Sequence, residues 1–253
     1  MPAKHYVTSL QKGLQVLTCF DRLHSRLTVS DVARLTGSTP ASARRSLLTL
    51  QDLGYLASDG KHFWMQPRCL EVAHAYLSSR PIPSLAQPLL DALSERTRES
   101  ATLAKLLDDH AIIIARSTAR RSLAVGLGIG SRLPAYCSAL GRVLLSGLPD
   151  DELRRRLEAM PRPALTPHTV TGVDDLLALV RACRTDGYAT SDQELEIGVR
   201  SMAVPVFNRA GAMTAGLSIV VRADRMSMSE CRDAYLPALL RAQARLRTQL
   251  FQD

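Results

Sequence analysis

An α/β protein of two domains is what the 253-residue sequence predicts, and three observations predict it. Two short capped helices, a glycine-terminated turn and a hairpin signal lie in order between residues 27 and 65. A stretch of linker composition, Ser78-Ser79-Arg80-Pro81-Ile82-Pro83, follows. Beyond it, strand-like and helix-like segments alternate, as in a mixed sheet flanked by helices. The domains are accordingly placed at residues 1–77 and 84–253, with 78–83 as the linker.

In the first domain, Leu10, Leu14, Leu17 and Phe20 recur at helical spacing, which predicts a first helix packed beneath the pair that follows. Thr28 and Asp31 have the spacing of a capping box, so a second helix starts there, with Val32 and Leu35 as its apolar side. Gly37 ends it, because glycine accepts the left-handed turn of a helix C-terminus. Ser38 or Thr39 caps the third helix, and Pro40 stands where a first-turn N–H would be unpaired anyway. Ala43, Leu47 and Leu50 share one face of that helix. Ala41, Ser42, Arg45 and Thr49 face the other way, with Arg44 on the flank. Small polar residues and arginines suit a helix entering a DNA major groove, since they add little bulk and supply donors for phosphates and guanine edges. Asp59-Gly60 between apolar runs is a hairpin signal, and it predicts a wing carrying Lys61.

A three-helix bundle with merely solvated arginines is the alternative, but it does not require these signals in this order. The reading is a winged helix-turn-helix that contacts double-stranded DNA through Thr39, Ala41, Ser42, Arg44, Arg45, Thr49 and Lys61. Pro67 then breaks the chain, and Leu70, Ala73, His74 and Leu77 form a connecting helix.

In the second domain an amphipathic helix is expected at 85–98, and strands at 101–107, 112–115 and 122–127. A glycine-rich connection at 126–130 leads to the segment 134–147. Helices at 150–160 and 174–186 precede strands at 201–207 and 215–221, joined across Asn208-Arg209-Ala210-Gly211. A closing helix at 229–250 is expected to be interrupted near Pro237.

Composition narrows the function. The formal charge of +8 favours an anionic partner, yet the cations are spread along the chain, so charge supports nucleic-acid binding without locating it. Cys19, Cys69, Cys137, Cys183 and Cys231 are scattered and odd in number, and no C-x-x-C is present. That points to reduced thiols in a cytoplasm, with no metal site and no cofactor implied. The N-terminal stretch lacks the apolar core of a signal peptide, and no run has the length of a membrane span.

Three stretches carry a resemblance that runs from Ser9-Leu10-Gln11-Lys12-Gly13-Leu14 to the last helix. They are Ala43-Arg44-Arg45-Ser46-Leu47-Leu48-Thr49-Leu50, Arg132-Leu133-Pro134-Ala135-Tyr136-Cys137 and Asp192-Gln193-Glu194-Leu195-Glu196. The sequence resembles the IclR family of bacterial transcriptional regulators, and within it the branch governing aromatic-acid catabolism through the β-ketoadipate pathway. The resemblance implies a C-terminal GAF-like effector-binding domain, a homodimer or homotetramer, and a small carboxylate effector such as protocatechuate, 4-hydroxybenzoate or β-ketoadipate. It places the effector against Ser138, Ala139 and Leu140 at a helix start, with Ser191, Ser201 and Ser218 opposite and Val125 and Leu133 as apolar wall. Physically, free N–H groups at a helix start favour a carboxylate, and an apolar wall suits a ring.

Three alternatives stay open at this point. Ser138 simply caps a structural helix, the regulator answers to an unrelated metabolite, or Cys137 is an enzyme's nucleophile, for which no histidine partner motif is visible. Arg116, Arg132 and Arg200 are candidate counter-charges, and Asp192, Glu194 and Glu196 read equally well as solvated loop charges.

Overall fold

The computed structural model describes residues 5–79, 81–118 and 127–249. The chain divides into two compact units, Met1–Ser79 and Arg80–Asp253. The first holds α1 (Thr8–Leu17), α2 (Val29–Thr36), α3 (Pro40–Asp52), β1 (Leu56–Ser58), β2 (Phe63–Met65) and α4 (Cys69–Ser78).

Local chemistry sets this unit's geometry. The capping box at α2 is formed, with the Asp31 N–H donating to Thr28 Oγ1 at 3.3 Å and the Thr28 N–H donating to Asp31 Oδ2 at 3.0 Å. Gly37 closes the helix at φ 63°, which a side chain would strain. Of the two candidate caps for α3 it is Thr39, accepting from the Ser42 N–H at 3.3 Å, with Pro40 in the first turn. Val16, Leu27, Val32, Ala33, Leu47 and Phe63 meet in one core. Leu35 is exposed and Ala33 buried instead, so the apolar side of α2 is rotated from the expected one.

The wing is the antiparallel pair β1–β2, and Leu27 bridges to Phe63 as a short third strand. Its loop runs over four residues, since Ser58 pairs with Phe63. The Asp59 carboxylate accepts the Lys61 and His62 N–H groups at 3.0 and 2.8 Å, which lowers its pKa to about 2. The hairpin expected at Asp59-Gly60 is thus present, and Asp59 shapes its four-residue loop through its side chain.

The expected burial of the first helix is corrected. Val16 is buried, whereas Leu10 and Leu14 are 62% and 55% exposed. In α4 no residue is buried, and Leu70, Val72 and Tyr76 face outward. The stretch expected as a linker is largely helical, for Ser78 ends α4 and α5 begins at Pro81.

The second unit holds α5 (Pro81–Thr97), β3 (Ser100–Leu107), β4 (His110–Ser117), β5 (Arg132–Pro134), α6 (Ala139–Leu145), α7 (Asp150–Ala159), α8 (Val173–Asp186), β6 (Ala189–Asp192), β7 (Val199–Phe207), β8 (Met213–Arg222) and α9 (Met228–Gln249). Its six-stranded sheet has the order β5-β4-β3-β8-β7-β6, with antiparallel neighbours throughout. One face packs on α5 and α9, where Leu90, Leu93, Leu239 and Leu246 meet Leu103, Leu217 and Ile219. The other face receives α6, with α7 and α8 outside it. Pro237 does not interrupt α9. The strand expected at 122–127 lies almost wholly outside the described residues, as does Val125.

Candidate functional site

On the first unit, α3 presents a cationic surface. Arg44, Arg45, Ala41, Thr39 and Thr49 are exposed, and Lys61 is exposed on the wing. Neither Arg44 nor Arg45 forms an ion pair among the described residues, so both guanidiniums are available to phosphates or base edges. Ser42 corrects the sequence reading: it is 8% exposed and lies between α3 and α1. The buried arc of α3 is wider than the stripe Ala43–Leu47–Leu50, because α1 covers its Ser42 side. Arg45 and Thr49 border a groove of about 690 Å³ whose floor is apolar, with Leu10, Leu14, Leu17 and Leu53 among its walls. Beside the wing, the Arg26 guanidinium lies 4.3 Å from the Trp64 ring centroid and 3.4 Å from Asp59, which ties the loop to the body.

On the second unit, α6 is the centre. All seven of its residues are buried. Gly141 is required there, since a Cβ would stand 2.2 Å from the Ala135 Cα. Leu140 packs on Gly216 of β8, where an added Cβ would lie 3.2 Å from its Cδ2. Ser138 is the N-cap: Oγ accepts the Gly141 N–H at 3.1 Å and donates to the Pro134 carbonyl at 2.7 Å. Its hydroxyl proton is thus used within the fold, which favours the structural alternative for Ser138. Ala139 is 0% and Leu140 4% exposed, so the helix start is packed against the sheet.

The serines expected opposite do come together. The sheet pairs Ser191 with Ser201, and Ser201 with Val220. Ser218 lies two residues from Val220 and from Gly216, so it shares the face toward α6. Ser191 Oγ donates to the Cys137 carbonyl at 2.7 Å and holds the loop before α6. Ser201 is half-buried. Ser218 is 1% exposed, and its Oγ has no hydrogen-bond partner among the described residues. Leu133 packs into the α6 cluster from β5, away from these serines.

Sequence reasoning missed the ion pair inside this domain. Arg142 of α6 and Glu194 of the loop after β6 are 3% and 6% exposed. Two guanidinium nitrogens each reach a Glu194 oxygen at 2.5 Å. Arg142 also donates to the carbonyls of Tyr136 and Thr190, and Glu194 accepts the Val170 N–H at 3.1 Å. Glu194 is therefore no solvated loop charge. The available signal was a charge in the middle of the apolar run Ala139–Leu145, because a charge on a buried helix needs a partner. Asp192 is bound by Arg200 at 2.7 Å, and Glu196 is exposed. Of the candidate counter-charges, Arg200 is thus taken, and Arg132 lies exposed beside His110.

The thiol chemistry is unlike that of a nucleophile. Burial pushes the Cys137 pKa up to about 11, so at neutral pH it is protonated, the opposite of an activated thiolate. All five cysteines are free. Among the described residues no cluster of three metal-ligating side chains is found, and no helix is long and apolar enough to cross a membrane.

Known proteins share both units. Residues 9–60 match the IclR helix-turn-helix domain and residues 74–247 the bacterial transcriptional regulator IclR C-terminal domain. The chain is 40% identical to the Pca regulon regulatory protein of Pseudomonas putida over 247 residues, which are 97% of this chain and 85% of that protein. It is 36% identical to the p-hydroxybenzoate hydroxylase transcriptional activator of Acinetobacter baylyi over 240 residues, 92% of this chain and 88% of that one. A solved IclR homologue from Microbacterium hydrocarbonoxydans, complexed with 4-hydroxybenzoate, superposes with a TM-score of 0.78 at 24% identity, covering 96% of this chain and 98% of its own. With both domains matched in order and the capped helix pair, wing and α6-covered sheet in place, the chain belongs to the IclR family of bacterial transcriptional regulators.

Proposed function

We propose that this regulator controls genes of aromatic-acid catabolism and answers to a small carboxylate, of the class of 4-hydroxybenzoate, protocatechuate or β-ketoadipate. The observation that carries the reading is the polar patch of Ser191, Ser201 and Ser218 on the sheet face beneath the start of α6, beside apolar residues of α6 and the sheet. The names of its relatives and the 4-hydroxybenzoate of the Microbacterium homologue support the ligand class. The effector lies between α6, at Ala139 and Leu140, and those strands, while Ser138 holds the helix start in shape. Operator DNA is contacted by Thr39, Ala41, Arg44, Arg45 and Thr49 of α3 and by Lys61 of the wing, and the place of action is the cytoplasm. Adding these acids to the full-length protein should change its operator affinity by about 5–150-fold, the usual range of an effector's coupling. If operator affinity stays constant across all three acids, the effector belongs to another chemical class.

The regulator works as a homodimer or homotetramer on this reading. Leu10 and Leu14 of α1 and Leu70, Val72 and Tyr76 of α4 are exposed, and exposed large apolar residues of this kind offer an association surface. A single winged domain also contacts too little DNA for tight specific binding, and paired half-sites solve this. Analytical ultracentrifugation should return a species of two or four chains. A monomer both free and on the operator excludes the assembly.

A further inference from the structure

Arg116 of the second unit is half-buried and has no anion beside it among the described residues. Arg116 stands on β4 directly opposite Thr102 of β3, which stands directly opposite Ser218 of β8. Side chains paired across a sheet point to the same face, and the Ser218 face is the one that receives Leu140 of α6. The guanidinium folds back over β3: Nη1 donates to Thr102 Oγ1 at 3.2 Å, and Nε donates to Thr118 Oγ1 at 3.3 Å. Nη2 is buried and has no partner among the described residues, and the same holds for Ser218 Oγ. No carboxylate lies within ion-pair distance of Arg116 among the described residues. The row across these strands, Arg116-Thr102-Ser218-Ala203, thus offers donors and no acceptor stronger than a hydroxyl.

Even partial burial of a guanidinium without a counter-charge is costly, and here it disfavours the charged form and leaves Nη2 shielded from water. A bound carboxylate offsets that cost by accepting from Nη2 and the two hydroxyls. Adjacent along the same face lie Ala203 and the Leu140–Gly216 contact, which are apolar and suit a ring.

We propose that Arg116, with Ser218 and Thr102, is the carboxylate anchor of the effector, so that the acid's charged end sits on the sheet and its ring lies toward Leu140. This rests on the carboxylate-effector reading above and sharpens it, since the first turn of α6 is packed too closely to be the charge-binding end. Arg116 would then select acids over their neutral isosteres, because a planar fork with one unpaired nitrogen matches a carboxylate and not an amide N–H.

The test is calorimetry on the full-length protein with 4-hydroxybenzoate, 3,4-dihydroxybenzoate and β-ketoadipate, and with 4-hydroxybenzamide as the neutral probe. Arg116→Met should weaken acid binding by roughly 10–100-fold, the loss of a charge-assisted hydrogen bond. It should also erase the preference for acid over amide. In thermal unfolding, Arg116→Met should raise the melting temperature of the ligand-free protein while abolishing the rise that the acid causes in wild type. A purely structural arginine would do the reverse in the ligand-free state. Ser218→Ala, which removes only a hydroxyl, gives the independent reading should Arg116→Met not fold, and a loss of acid affinity of about 5–10-fold is expected for one neutral hydrogen bond. Acid affinity unchanged in Ser218→Ala and in folded Arg116→Met overturns the anchor and leaves the effector reading standing. If wild type binds none of the three acids, the carboxylate reading itself falls, and the anchor with it.

Discussion

Replacing Arg142 by methionine should destabilise the C-terminal domain by about 3–5 kcal/mol, because the Glu194 carboxylate would stay buried without its counter-ion. Among the described residues Glu194 would retain only the Val170 N–H, and the Tyr136 and Thr190 carbonyls would each lose a donor. Those contacts join α6, β6 and the loop before α8, so the loss should appear as an early unfolding transition of this domain. Removing both charges, as Arg142→Met with Glu194→Leu, should recover much of the loss, since a buried pair is worth far less than the penalty for orphaning one partner. Chemical denaturation of both single variants and the double variant measures the coupling. If the double variant falls by the sum of the two single losses, the pair is not energetically coupled and the account is wrong.

The second large effect is on DNA. Arg44→Ala combined with Arg45→Ala should reduce operator affinity by about 2–6 kcal/mol if each side chain contributes the usual 1–3 kcal/mol of an arginine contact. Both residues are exposed and free of ion pairs among the described residues, so their loss should leave folding intact. The single variants separate the two roles. If Arg45 reads a guanine edge, Arg45→Ala relaxes the choice of base at one operator position. A phosphate contact by Arg44 predicts weaker binding to all sequences and a salt slope shallower by about 0.9. Quantitative footprinting across a salt series reads both. Wild-type protection by the double variant would place the recognition surface elsewhere.

The two readings of α3 differ in one instructive respect. A stripe of Ala43, Leu47 and Leu50 was legible because helical spacing alone puts those residues on one face. That Ser42 is buried as well depends on where α1 lies, which no local pattern encodes. The same limit explains Leu10 and Leu14, whose spacing identifies an apolar helix face but says nothing of what covers it. Pro237 illustrates the opposite error: a proline costs a helix one N–H and some strain, and packing of Leu239, Ala242 and Leu246 on the sheet carries α9 through it.

By itself the sequence determined the capped helix pair, the wing and the alternation of strands and helices that follows. Resemblance to family positions also singled out three serines that the sheet places on one face. Caps and turns form between a side chain and backbone within about one helical turn, as at Thr28, Thr39 and Asp59, so their signals are short strings of residues. Only the tertiary structure decided which charges are buried. Arg142 and Glu194 lie 52 positions apart and meet because α6 is sealed against the loop after β6. Arg116 comes over Thr102 and into one row with Ser218 because the sheet order puts β3 between β4 and β8. A charged side chain carries the same letter in solvent and in a core, and its role follows from desolvation and from the neighbours that distant strands supply.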